Sequence, residues 1–116
     1  MSVNYNNKVF KSVSSSSNAE VSGETLFHYH QEGQVVWAEY SGGVIIKGHL
    51  IAKLGAAGEL NMRYHHINSD LEIMTGTCQS RPEALPDGRL RLHEQWQWTS
   101  GDHSEGTSLV EEVVAN

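Results

Sequence analysis

A glutamate stands where a hydrophobic residue belongs. In the segment 89–99, RLRLHEQWQWT, Leu90, Leu92, Glu94, Trp96 and Trp98 occupy one alternation phase, while Arg89, Arg91, His93, Gln95, Gln97 and Thr99 occupy the other. Period-two alternation marks a strand with one face in a core, which puts Glu94 among the core-facing residues. A buried charge normally requires a partner, a proton or a ligand, because its desolvation is costly. A second segment, 59–68 (ELNMRYHHIN), puts Leu60, Met62, Tyr64 and His66 on one face. If Leu60 and Leu90 both point inward, then Tyr64, His66, Glu94, Trp96 and Trp98 wall one pocket, with apolar area for affinity and two polar groups for orientation. No Lys or Arg falls in the inward registers of the clear strands, so His66 is the expected partner of Glu94, as an imidazolium against a carboxylate. The same pair could serve an enzyme as acid and base. The plainer alternatives are a bulge that turns Glu94 outward, a satisfied core histidine and tryptophans that merely fill the core.

Other chemistry finds less support. His28 and His30 point the same way on a strand and could chelate, but Phe27 and Tyr29 take the inward phase and leave both histidines outside, so no metal site is expected. His65 and His66 point to opposite faces. Cys78, the single cysteine, reads as a small core residue and allows no intramolecular disulfide. No serine stands in a nucleophile elbow, and no glycine loop that could cradle a phosphate opens a helix. No cofactor is expected.

The elements that would position these residues are strands throughout. Helical periodicity is almost absent. Strands are expected over 8–13, 21–31, 34–40, 44–54, 59–68, 72–80, 89–99 and 106–114, joined by turns at Glu32-Gly33, Ser41-Gly42-Gly43, 55–58, 68–70 and Asp87-Gly88. The serines of 14–18 read as a polar loop, either a mobile linker or a tight hairpin. Segment 81–88, which holds both prolines, reads as the longest connection. In 44–54 the expected inward set is Val44, Ile46, Gly48, Leu50, Ala52 and Leu54, with Ile45 and Ile51 outside. In 34–40 either Glu39 or Tyr40 could face inward. A faint repeat aligns 58–64 with 88–94, each preceded by a strand with a mid-strand glycine, Gly48 or Gly76, suited to bending.

Consecutive strands joined by short turns form an antiparallel meander, and about eight of them close into a barrel just wide enough for side chains or one small ligand. The expected fold is therefore all-β, a single-domain (1–116) antiparallel up-and-down meander barrel of about eight strands. A curled open sheet that dimerises is the structural alternative. At 116 residues there is room for one core. Eight Lys and Arg against fourteen Asp and Glu give a net charge of −6, which disfavours nucleic acid and anionic membrane as partners. No secretory apolar run and no membrane-spanning stretch occurs, so a cytoplasmic location is expected.

The motifs YSGG (40–43), KGHL (47–50), EIMTG (72–76), LPDGRLRLHEQWQW (85–98) and WTSGD (98–102) resemble a family of small uncharacterised bacterial proteins often labelled N-acetylglutamate synthase. The likeness runs from about Tyr5 to Glu112. The label implies acetyl-CoA-dependent transfer, whose usual domain is mixed α/β with a glycine-rich strand-to-helix loop that this chain lacks. A looser architectural likeness is to calycin-type barrels, including lipocalins and avidin-like proteins. Three functions follow as expectations: a small-molecule binder using Tyr64, His66, Glu94, Trp96 and Trp98, an enzyme using Glu94 and His66, or a homodimer or larger homo-oligomer buried through outer residues such as Ile45 and Ile51.

Overall fold

The structure, a computed structural model, describes residues 3–114. The expectations that extend to Met1, Ser2, Ala115 and Asn116 lie outside the described residues. Eight strands follow one another: β1 (Val9–Ser15), β2 (Leu26–Glu32), β3 (Val35–Gly42), β4 (Ile45–Leu54), β5 (Leu60–Asn68), β6 (Ile73–Ala84), β7 (Leu90–Trp98) and β8 (Glu105–Val113). Each pairs antiparallel with the next, and β1 pairs with β8, so the sheet closes into a barrel. Closure pairs every strand on both sides and leaves no free edge.

The alternation seen in the sequence sorts the side chains. Leu60, Met62, His66, Leu92, Trp96 and Trp98 are buried inside, while Asn61, Arg63, His65, Gln95 and Gln97 face out. Tyr40 is buried and Glu39 points outward to His30, which settles the phase of β3. Three inward glycines share one role. The ring of Tyr40 lies over Gly48, that of Tyr64 over Gly76 and that of Trp96 over Gly106, so a Cβ at any of them would meet an aromatic side chain. The mid-strand glycines thus make room for the large residues of the interior and let the strands curve around them.

The structure corrects four expectations. A bulge between Ile45 and Lys47 shifts the phase of β4, so Ile45 is buried while Val44 and Ile46 are exposed. The extra residue reverses the alternation on one side of itself, which simple counting cannot see. β6 runs on to Ala84, with Pro82 opposite Leu92, so the connection expected over 81–88 shrinks to a turn around Pro86 to Gly88. β1 extends through Ser14 and Ser15, which pair with Leu109 and Ser108 beyond a bulge. β2 begins only at Leu26, and residues 16–25 form an irregular segment that crosses one end of the barrel.

The two ends are closed differently. At one end, Tyr5 is fully buried, donates its hydroxyl to the Gly58 carbonyl at 2.6 Å and packs with Phe10 and Tyr29. At the other, the segment 16–25 is held down by side chains of the interior. The seam beneath it is short: β1 and β2 share only the pairs Val9 to His28, Phe10 to Phe27 and Lys11 to Leu26.

Candidate functional site

Glu94 lies midway along β7, opposite Ser80 on β6 and Ser108 on β8. It retains some accessible surface and lines a partly open cavity of about 50 Å³ in the barrel interior. Ser108 is engaged by Trp96, whose Nε1 donates to the serine Oγ at 3.0 Å. Ser80 is fully buried and its Oγ has no hydrogen-bond partner of good geometry among the described residues. Its hydroxyl is nonetheless near enough to ease the ionisation of Glu94. Burial dominates and pushes the Glu94 carboxyl up to about 7, against which Ser80 acts in the opposite sense.

All five residues expected to form the pocket line this cavity: Tyr64, His66, Glu94, Trp96 and Trp98. The rings of Trp96 and Trp98 meet edge to face, as do those of Tyr64 and Trp98, with centroids 5.3 and 5.7 Å apart. The pairing expected between His66 and Glu94 does not form. His66 instead places Nε2 2.7 Å from Glu20 Oε1 and Nδ1 2.9 Å from the Tyr40 hydroxyl. Burial lowers the His66 pKa, and the Glu20 carboxylate offsets part of that shift. The imidazole is therefore neutral at pH 7, with Nε2–H donating to Glu20 and Nδ1 accepting from Tyr40. A direct acid/base pair of Glu94 and His66 has no geometric basis here, since both nitrogens of the ring are occupied elsewhere.

Counting along strands could not reveal Glu20, because it lies in the irregular segment. It lies 46 residues from His66 in sequence and reaches the site only because 16–25 folds over the barrel mouth. Its second oxygen accepts from Asn68 Nδ2 at 3.0 Å, and the Asn18 carbonyl accepts from Trp98 Nε1 at 3.2 Å. Together these contacts fasten a lid. Ser80 also went unnoticed in the sequence, since a serine in an alternating strand carries no signal of its own.

The sequence profile of the avidin-like protein family matches residues 3–113, nearly the whole chain. The chain belongs to the avidin-like family. No curated protein and no solved structure matches it. The N-acetylglutamate synthase label carried by the sequence resemblance gains no support from these comparisons, and among the described residues there is no helix on which a glycine-rich loop could open. Among the described residues of this avidin-like chain, no three His, Cys, Asp or Glu side chains converge as metal ligands. His28 and His30 lie on the outer face, with His30 held by Glu39 at 2.8 Å.

Proposed function

We propose that this avidin-like barrel binds a small molecule in the cavity beside Trp96 and Trp98, with Glu94 as its polar contact. The observation that carries this reading is a largely desolvated carboxyl lining a cavity of the barrel interior whose walls hold no Lys or Arg. Packing alone does not favour such a residue, because a Leu or Met would fill the same space without desolvating a charge. The cavity, about 50 Å³, lies far below the roughly 300–1,000 Å³ of pockets that enclose drug-sized ligands. With the lid closed, the ligand is therefore a molecule of a few non-hydrogen atoms, or the tip of one whose remainder requires the lid to lift. The test is ligand screening by NMR, with fragments of up to six heavy atoms and with biotin. Binding should move the indole resonances of Trp96 and Trp98. A protein in which no probe moves either indole has a filled interior and no such function.

A second reading concerns self-association. Ile46, Leu71 and Ile73 are all more than half exposed, and Ile73 pairs with the outward Ile67 at the rim of the mouth. These residues would be the buried centre of a homodimer, in place of Ile45, which faces the core. Sedimentation at micromolar concentration should find a dimer that Ile73→Lys converts to monomer. A wild-type chain that sediments as a monomer would end this reading.

A further inference from the structure

We infer that the cavity ligand is a compact organic cation, a protonated primary amine seated against the carboxylate of Glu94 among the rings of Tyr64, Trp96 and Trp98. This rests on the binding reading above and narrows it to one chemical class. Glu94 and the fully buried Ser80 are direct neighbours across the β6 and β7 pairing, and of the two only Glu94 lines the cavity. Of the two carboxyls that line the cavity, Glu20 is held by His66 and Asn68, whereas Glu94 meets no Lys, Arg or His among the described residues. An ammonium group offers up to three donors and no acceptor, which suits an ionised carboxylate, an acceptor only. It also supplies the opposite charge whose absence makes the buried carboxylate costly. An anion would find only repulsion there, since no Lys or Arg lines the cavity.

The walls favour the same class. Tyr64, Trp96 and Trp98 share the cavity with Glu94, and aromatic rings attract a cation held within about 6 Å of their centroids. The volume of about 50 Å³ accepts a small alkylammonium and excludes bulky polyamines while the lid is closed. The other titratable groups facing Glu94 are Tyr5 from the N-terminal plug, Tyr29 from β2, Tyr40 from β3, Tyr64 from β5 and Cys78 from β6. Burial pushes all of them up, so they stay protonated and uncharged through neutral pH. His66 is turned toward Glu20 at the mouth. Glu94 is accordingly the group whose ionisation governs cation entry, and affinity rises as the carboxyl loses its proton.

The probe is ethylammonium chloride, with ethanol as a neutral molecule of the same heavy-atom count. Each is titrated into the intact protein and followed by the Trp96 indole and Ser80 amide resonances. Ethylammonium should move both signals and ethanol neither, and its affinity should rise roughly tenfold between pH 6 and pH 8 as a group of pKa about 7 ionises. Glu94→Gln should abolish the response. If Glu94→Gln does not fold, the pH dependence of the wild-type protein decides alone. Equal binding of ethanol and ethylammonium with no pH dependence overturns the cation assignment and leaves the cavity as a neutral binder. Shifts confined to surface carboxylates overturn it as non-specific ion pairing. Failure of every probe to reach Trp96 removes the cavity reading as well.

Discussion

At the scale of the residue, Glu94 is a local instability built into the interior. Its carboxyl titrates at about 7 in the fold against an ordinary value of 4.5, so the folded chain holds a proton that the unfolded chain releases between those values. Stability is therefore greatest below about pH 4.5 as far as this group is concerned, and it falls as pH rises through 7. Glu94→Gln removes the titration, and it should stabilise the protein at pH 8 by roughly 1–3 kcal/mol, with a much smaller effect at pH 5. Urea unfolding of both proteins at the two pH values measures this. Equal effects at pH 5 and pH 8 would mean that the carboxyl is already solvated. His66 acts in the opposite sense. Its lowered pKa leaves it neutral in the fold, so the stability it supports is complete above about pH 6.5 and fades as pH falls through the folded value.

At the scale of the element, the segment 16–25 decides who reaches the cavity. It forms neither strand nor helix and is held by its ends, by His66, Asn68 and Trp98 from the interior, and by Asn18 Nδ2, which donates to Ser104 Oγ at 2.9 Å and to the Glu105 carbonyl at 2.8 Å. Near its exit, Thr25 donates its hydroxyl to the Gly42 carbonyl at 3.1 Å, and Gly42 adopts a φ of 123° with the Glu24 carbonyl pressed against its Cα. Only glycine fits both that backbone angle and that approach. Midway, Glu20 bridges His66 and Asn68. Glu20→Ala removes both bonds and leaves His66 Nε2 without its acceptor, a loss of about 1–3 kcal/mol borne mainly by the lid. The Trp98 indole N–H, covered by the Asn18 carbonyl, should then exchange with solvent at least about tenfold faster while the strand amides of β5 and β6 keep their protection. Uniform acceleration across the barrel would show that the segment is part of the cooperative core and not a lid.

At the scale of the whole molecule, closure is complete but uneven. β1 pairs with β8 from Val9 to Ser15 and with β2 only from Val9 to Lys11, because β1 continues along β8 after its bulge while β2 has not yet begun. The β1 to β2 seam is the weakest join in the ring. Native-state hydrogen exchange should find its lowest strand protection at Phe27 and Val9, with the highest along β4 to β7. Protection that is even around the ring would place the lid, and not the seam, as the point of entry. A barrel that opens at this seam also opens beneath 16–25, so ligand entry and local unfolding share one region.

The sequence by itself determined the all-β meander, the turns and most of the inward phase, because alternation and turn residues are local and each strand bonds to its sequence neighbour. It also determined that Tyr64, His66, Glu94, Trp96 and Trp98 face one interior, since all five lie on strands without a bulge between them. The tertiary structure decided what those residues touch. A bulge moved Ile45 inside and Ile46 out, and register carried β6 past Pro82. The lid brought Glu20 across 46 residues to take the place expected of Glu94 beside His66. Phase along a strand is a property of neighbouring residues, whereas the partner of a buried polar atom depends on which distant segment closes over it. That distinction is why the lone carboxyl was legible in the sequence and its environment was not.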